Sequence, residues 1–247
     1  MAFQDPSLAH EACGSCPIRA RAICARCDED ELGRLEQIKS YRSYAAGQTI
    51  VSAGERMEFV GSVVSGVAAL SHTMEDGRRQ MVGLLLPSDF AGRPGRSRAA
   101  YDVIAIADLV LCCFRRRAFE DLLAATPNLA RRLLDMALDE LDAAREWHLV
   151  LGRKTAREKV ASLLRIIARR GGGAAGPGRP ATTIDLPLTR EQMADYLALT
   201  LETVSRQITG LRRDRLIAVT GRRGVTVLDM AGLAQAAGEE REGGYPV

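Results

Sequence analysis

The chain has 247 residues, 47% hydrophobic and 26% charged, with a net charge of +3. That length supports two domains with real cores. No apolar run approaches the roughly 18 residues of a membrane span, and the first residues lack the basic-then-apolar layout of a secretory leader. A cytoplasmic protein with reduced cysteines is expected, and a charge this small neither requires nor excludes nucleic acid.

The cysteines are unevenly spread. Cys13, Cys16, Cys24 and Cys27 form a C-x2-C-x7-C-x2-C run, and Cys112 and Cys113 stand side by side far downstream. Clustering of this kind in an otherwise ordinary chain points to a metal or an iron–sulfur centre. Residues 1–28 read as a loop broken by Gly14 and Pro17. A short helix is predicted next, with Asp28, Glu29 and Asp30 at its N-terminal end and Leu32, Leu35 and Ile38 as its apolar stripe. From Tyr41 to Arg116, short apolar runs punctuated by glycine predict an antiparallel sandwich or barrel. Asp76-Gly77, between Val67–Thr73 and Gln80–Leu86, predicts a hairpin whose turn takes its positive φ angles from that pair.

Phe119, Leu122 and Leu123 predict a short helix, and Pro127 opens a long one that Gly152 ends. Along the long helix Ala130, Leu134, Ala137, Leu141, Ala144, His148 and Leu151 step by four and three, as in a heptad seam. Leu129, Leu133, Met136, Ala143, Trp147 and Val150 form a second stripe beside it. A helix apolar on two neighbouring stripes can pack on its own domain and on a partner at once, so the seam is read as a homodimer interface. The plainer reading makes both stripes intramolecular core. Thr155 to Arg169 predicts another helix, Gly171 to Pro180 a linker, and Ile184 to Ala236 a small α/β module.

Within that module Thr189 and Gln192 form a capping box, Met193, Ala194 and Leu197 the buried face of a first helix, and Ala198-Leu199 a turn. Thr200 caps a second helix with Val204, Ile208 and Leu211 inside. Two helices joined so tightly form a helix-turn-helix. Its outer face carries Glu202, Thr203, Ser205, Arg206 and Thr209, followed by Arg212 and Arg213. Arg206 suits guanine O6 and N7, Glu202 suits cytosine N4, and the terminal arginines suit phosphates. Leu216–Val219 and Val225–Leu228 read as a two-stranded wing with an arginine-bearing tip.

Barrel, long helix and winged helix-turn-helix in this order resemble the Crp/Fnr superfamily of bacterial transcription regulators over essentially the whole chain. Glu202-Thr-Val-Ser205-Arg206 resembles the E-x-x-S-R signature of the FNR branch, and Cys13-x2-Cys16-x7-Cys24 with Pro17-Ile18-Arg19 resembles its α-proteobacterial form. The resemblance implies an α+β fold: an N-terminal antiparallel β-barrel of the cyclic-nucleotide-binding jelly-roll kind, a dimerisation helix and a C-terminal winged helix-turn-helix. The implied boundaries are 1–28, 29–126, 127–152 and 153–247. It implies a [4Fe-4S] cluster on Cys13, Cys16, Cys24 and Cys112, with Cys27 and Cys113 surplus. It further implies an oxygen-responsive homodimer that binds double-stranded DNA at a pseudo-palindromic TTGAT-N4-ATCAA-like site. The hairpin at Glu75–Arg79 resembles a surface that touches RNA polymerase. The chain departs from the pattern at Ala198, commonly glycine, and at Ala144, where well-known relatives carry an acid.

Other readings remain at this point. A cyclic-nucleotide receptor would use Arg98-Ala99-Ala100, but Phe90-Ala91-Gly92 supplies no glutamate. A haem sensor would use His72 with a cysteine. Structural zinc would use the N-terminal cysteines alone. Enzymatic readings lack convergent histidines, since the chain has only His10, His72 and His148.

Overall fold

A computed structural model describes residues 12–171, 182–221 and 223–238. The chain divides into two compact units, residues 1–138 and 139–247.

The first unit begins with a 3-10 turn, Cys13–Ser15, and a run of turns to Cys27. Helix α1 (Glu29–Ile38) starts at Asp28, whose side chain accepts from the Glu31 backbone while Glu31 reaches back to the Asp28 N–H. This reciprocal cap closes two otherwise unpaired helix donors. Strands β1 (Lys39–Tyr44), β2 (Thr49–Val51), β3 (Phe59–Ser65), β4 (Ala68–Thr73), β5 (Arg79–Leu85), β6 (Phe90–Ala91), β7 (Asp102–Ala105) and β8 (Leu109–Arg115) follow. They form two antiparallel four-stranded sheets, ordered β1-β8-β3-β6 and β2-β7-β4-β5. The expected barrel is therefore an open jelly roll, two sheets facing each other. Helix α2 (Arg116–Ala125) and helix α3 (Pro127–Arg153) follow. Gly152 lies inside α3, one residue before its end.

Two cores fill this unit, and β8 separates them. Leu109, Leu111 and Cys113 pack inward with Val51, Phe59, Val63, Leu85 and Val103, drawn from both sheets. Cys112 and Phe114 pack outward with Ile18, Ile23, Leu35, Tyr41, Val60, Phe119 and Leu129. The unbroken apolar run of β8 thus reflects a strand buried on both faces, with alternate side chains assigned to alternate cores. Gly61 on β3 is needed for the close fit, because a Cβ there would stand 2.5 Å from the Cys112 carbonyl oxygen.

The β4–β5 hairpin departs from expectation in one respect. Gly77 alone takes a positive φ, +84°. Asp76 acts as an acceptor instead, bonding the Arg78 backbone at 3.0 Å and its Nε at 2.7 Å.

The second unit holds the rest of α3, then α4 (Ala156–Gly171), β9 (Thr182–Asp185), α5 (Arg190–Leu197), α6 (Leu201–Arg213), β10 (Ile217–Thr220), β11 (Gly224–Val227) and α7 (Met230–Ala236). The wing has three strands, not two: β9 pairs with β11 in the order β10-β11-β9. The core joins Val160, Leu163, Leu164 and Ile167 of α4 to Leu186, Met193, Leu197, Val204, Leu211, Val225 and Leu233. Arg222, part of the expected wing tip, most of the linker and His10 lie outside the described residues.

Candidate functional site

The cysteines sort by position. Cys13, Cys16, Cys24 and Cys112 line one cavity, together with Ile18, Ala22, Ile23, Leu35, Tyr41, Ser62 and Phe114. Cys112 is carried there by β8, opposite Ser62 on β3 and Tyr41 on β1. The other three come from the N-terminal turns. Cys113, the next residue on the strand, is fully buried in the inner core. Cys27 is buried near the start of α1, where burial and the Glu31 carboxylate push its thiol up to about 12.

The loop is held by arginine–carbonyl bonds. Arg19 donates to the Cys24 carbonyl at 2.5 Å and to the Cys27 carbonyl at 2.8 Å. Arg132 on α3 donates to the carbonyls of Arg21 and Ala22. Arg26 pairs with Asp135 of α3 at 2.9 Å, and Asn128 bonds the Glu31 carboxylate. Lys39 reaches the Cys13 sulfur at 3.5 Å while pairing with Glu36 at 3.1 Å.

Burial raises the thiols of Cys13, Cys24 and Cys112. Lys39 opposes the rise at Cys13, and Arg19 opposes it at Cys24. For Cys112 nothing opposes it: burial comes first, and the neighbouring Cys113, Cys13, Cys16 and Cys24 sulfurs push it further up. Buried thiols become good ligands only when a cation replaces the proton.

Among the described residues no three Cys, His, Asp or Glu side chains converge as a single metal ion needs. A tetrahedral zinc, about 2.3 Å from each sulfur, requires that convergence. Four thiols around an apolar cavity form a donor set suited to an iron–sulfur body. The cavity itself is about 20 Å³, room for about one water. One buried polar atom also faces this cavity: the Ser62 hydroxyl, 2% exposed, has no hydrogen-bond partner among the described residues.

In the second unit, α5 and α6 form the helix-turn-helix. Thr189 and Gln192 make the capping box, at 3.1 and 2.8 Å. Ala198 turns the chain in the left-handed region at φ 51°, and Thr200 caps α6 through the Thr203 N–H at 3.2 Å. Lys159 of α4 caps the Leu197 carbonyl at 3.4 Å, and Arg157 clamps Asp214 at 2.6 Å. Val204, Ile208 and Leu211 are buried, so Glu202, Ser205, Arg206, Thr209, Arg212 and Arg213 stand exposed, with Thr203 half-buried. The Glu202 carboxyl is held below the usual carboxylate range by its own backbone N–H and the Thr200 hydroxyl, so it stays an acceptor. The surface is polar, donor-rich and rigidly backed, as major-groove reading requires.

On α3 the two stripes differ. Leu129 and Val150 are buried, Leu133 and Met136 half-buried, and Trp147 stacks on Tyr196 with centroids 4.4 Å apart. The seam faces out: Ala130, Leu134, Ala137, Leu141, Ala144 and His148 are exposed, Leu134 by 58% and Leu141 by 44%, and Leu151 is half-buried.

Residues 158–236 match the Crp-like helix-turn-helix domain and residues 41–126 the cyclic nucleotide-binding domain. The chain is 62% identical to the transcriptional activator protein FnrL of Cereibacter sphaeroides, covering 98% of both chains. It belongs to the FNR-type branch of the Crp/Fnr family. It is 36% identical to the nitrogen fixation regulation protein FixK of Bradyrhizobium diazoefficiens, over 89% of this chain and 91% of that one. The structure of FixK2 from Bradyrhizobium japonicum superposes with a TM-score of 0.73 at 30% identity, covering 83% of this chain and all of that one. As a family member the chain is a DNA-binding transcription regulator, not an enzyme.

The cyclic nucleotide-binding match concerns the fold. Arg98 is exposed and donates to the Gly54 carbonyl at 2.6 Å, and Ala91 packs into the inner core where a glutamate is absent. His72 is exposed, edge-on to Tyr101. Sequence reasoning gave no role to Ser62 or Lys39, and Arg19 entered only as part of the Pro17-Ile18-Arg19 run. No spacing marks them, since Lys39 and Ser62 come to the site only through the pairing of β1 and β3 with β8.

Proposed function

We propose that this chain is an oxygen-responsive transcription regulator that holds a [4Fe-4S] cluster on Cys13, Cys16, Cys24 and Cys112. The observation that carries the reading is that these four thiols, and not Cys27 or Cys113, line one apolar cavity. When bound, the cluster supplies an oxygen-labile covalent tie between a loop and a strand. Arg19 keeps the loop in shape by holding the carbonyls of Cys24 and Cys27. Arg132 and the Arg26–Asp135 pair fasten the same loop to the first turns of α3. Ordering the loop therefore bears on the helix whose exposed seam, Ala130 to Leu151, pairs two copies of the chain.

The paired chains present two copies of α6 about one helical turn apart to a TTGAT-N4-ATCAA-like site. Arg206 donates to guanine, Glu202 accepts from cytosine, Ser205 serves either sense, and Thr203 and Thr209 flank them. Arg212 and Arg213 take phosphates. The exposed hairpin at residues 75–79 is the surface offered to RNA polymerase.

The test is anaerobic purification with iron and sulfide analysis, followed by binding to the palindrome before and after air. About four irons per chain, and a loss of dimer and DNA affinity in air, are expected. An iron-free protein, or equal binding after air, defeats the reading.

A further inference from the structure

Of the several buried side-chain polar atoms without a hydrogen-bond partner among the described residues, the Ser62 hydroxyl is the one that lines the cysteine cavity. It is buried, it faces the cysteine cavity, and no described residue accepts or donates to it. A buried hydroxyl left unpaired costs about 1–3 kcal/mol, and serine offers β3 no packing that alanine would not. Ser62 stands directly across the ladder from Cys112. Lys39, at the start of β1 and beside the cavity rather than lining it, places its ammonium 3.5 Å from the Cys13 sulfur. Its side chain is only 10% exposed. Glu36 and the Tyr41 ring, 5.6 Å from Nζ to centroid, hold it in place. The sequence uses lysine at only three positions among 34 basic residues. A compact ammonium, unlike a planar guanidinium, fits beside a single sulfur.

We propose that Ser62 and Lys39 are hydrogen-bond donors to the sulfurs of the bound cluster, and that they set how long it survives in air. This rests on the reading that Cys13, Cys16, Cys24 and Cys112 hold a cluster. Four thiolates give a [4Fe-4S]2+ centre a net charge of about −2, and burying that charge needs donors at its sulfurs. Hydrogen bonds to sulfur also raise the reduction potential of such a centre. Ser62 and Lys39 are positioning residues here: they touch sulfur and do not ligate iron.

The experiment compares wild type, Ser62→Ala, Lys39→Met and Lys39→Arg. Each is loaded anaerobically, assayed for iron, titrated for midpoint potential and then exposed to air. Ser62→Ala is expected to load fully and to lose its visible absorbance about fivefold faster. Lys39→Met is expected to lose it about tenfold faster, and Lys39→Arg to recover most of the difference. Both losses come with a lowered potential.

The cluster-free proteins give the second readout. Ser62→Ala without iron should melt at the wild-type temperature or ~2–4 °C above it, because the unpaired hydroxyl is gone. A purely structural serine predicts the reverse. Wild-type lifetimes and potentials in both Ser62→Ala and Lys39→Met, or a cluster-free Ser62→Ala that melts below wild type, overturn the proposal while leaving the cluster reading intact. A wild type that takes up no iron removes both.

Discussion

The cysteine cavity and the reading helix are built on opposite plans. One wall of the cavity is a loop with a single 3-10 turn, and side chains hold its carbonyls: Arg19 those of Cys24 and Cys27, Arg132 those of Arg21 and Ala22. Another wall is one strand buried on both faces. In the helix-turn-helix every helix start is capped by its own residue, Thr189 for α5 and Thr200 for α6, and Lys159 closes the end of α5. A region that must answer a ligand draws on low local stability, whereas one that reads a fixed duplex must be set beforehand. The same chain separates these needs into different units.

The contrast between the loop wall and the strand wall predicts the largest effect. Cys112→Ala is expected to abolish iron uptake, because the proposed ligand on β8 is gone. Cys113→Ala, one residue away, is expected to keep its iron and to lose about 1 kcal/mol of stability from the inner core. Iron analysis and thermal unfolding separate the two. If the phenotypes are exchanged, the assignment of the β8 faces to their functions fails.

The pre-set character of the reading module predicts the next effect. Leu211 is fully buried beneath α6, so Leu211→Ala should cost about 2–5 kcal/mol. Calorimetry of the iron-free chain would register it as a lowered transition for the second unit, with iron uptake on reloading unchanged. Smaller still is the loss of an exposed reading residue. Arg206→Ala should cost about 1–3 kcal/mol against the palindrome and relax preference at one base pair. Arg213→Ala should weaken all sequences alike and lower the salt slope by about one. Equal losses on specific and random DNA for Arg206→Ala would reassign it to the phosphates.

These sites were legible in the sequence to different depths for a physical reason. The helix-turn-helix is local: caps, buried face and exposed face all recur within about 25 residues, where helical period is informative. The two stripes of α3 were readable likewise, and the structure separates them into a buried and an exposed set. For Cys112 and Cys113, alternation along a strand separates the faces, and only the partners of each face say which is which. Ser62 was invisible, because its meaning depends on standing opposite Cys112, fifty residues on along the chain. The third wing strand was missed for the same cause, since β9 gains its identity only by pairing with β11 across the whole helix-turn-helix. The Asp28–Glu31 capping box is hidden in the sequence by the run of acidic charges around it, which explains the helix start equally well.

The smallest effect concerns the turn itself. Ala198 holds φ 51° and ψ 51°, and its side chain is exposed. A left-handed alanine costs about 1–2 kcal/mol from the approach of Cβ to the following carbonyl. Glycine removes that cost and adds about 0.5–1 kcal/mol of unfolded-state entropy. The methyl contributes no packing to offset the strain, so Ala198→Gly should raise stability by about 0.5–1 kcal/mol, a shift of ~1–4 °C in melting temperature. The turn's bond from the Leu199 N–H to the Ala194 carbonyl, at 2.9 Å, survives the change, so α6 should keep its position and DNA affinity should hold. A gain in stability with a loss of affinity would mean that the reading module depends on a strained turn to aim α6, and that the contrast with the cysteine loop is one of degree.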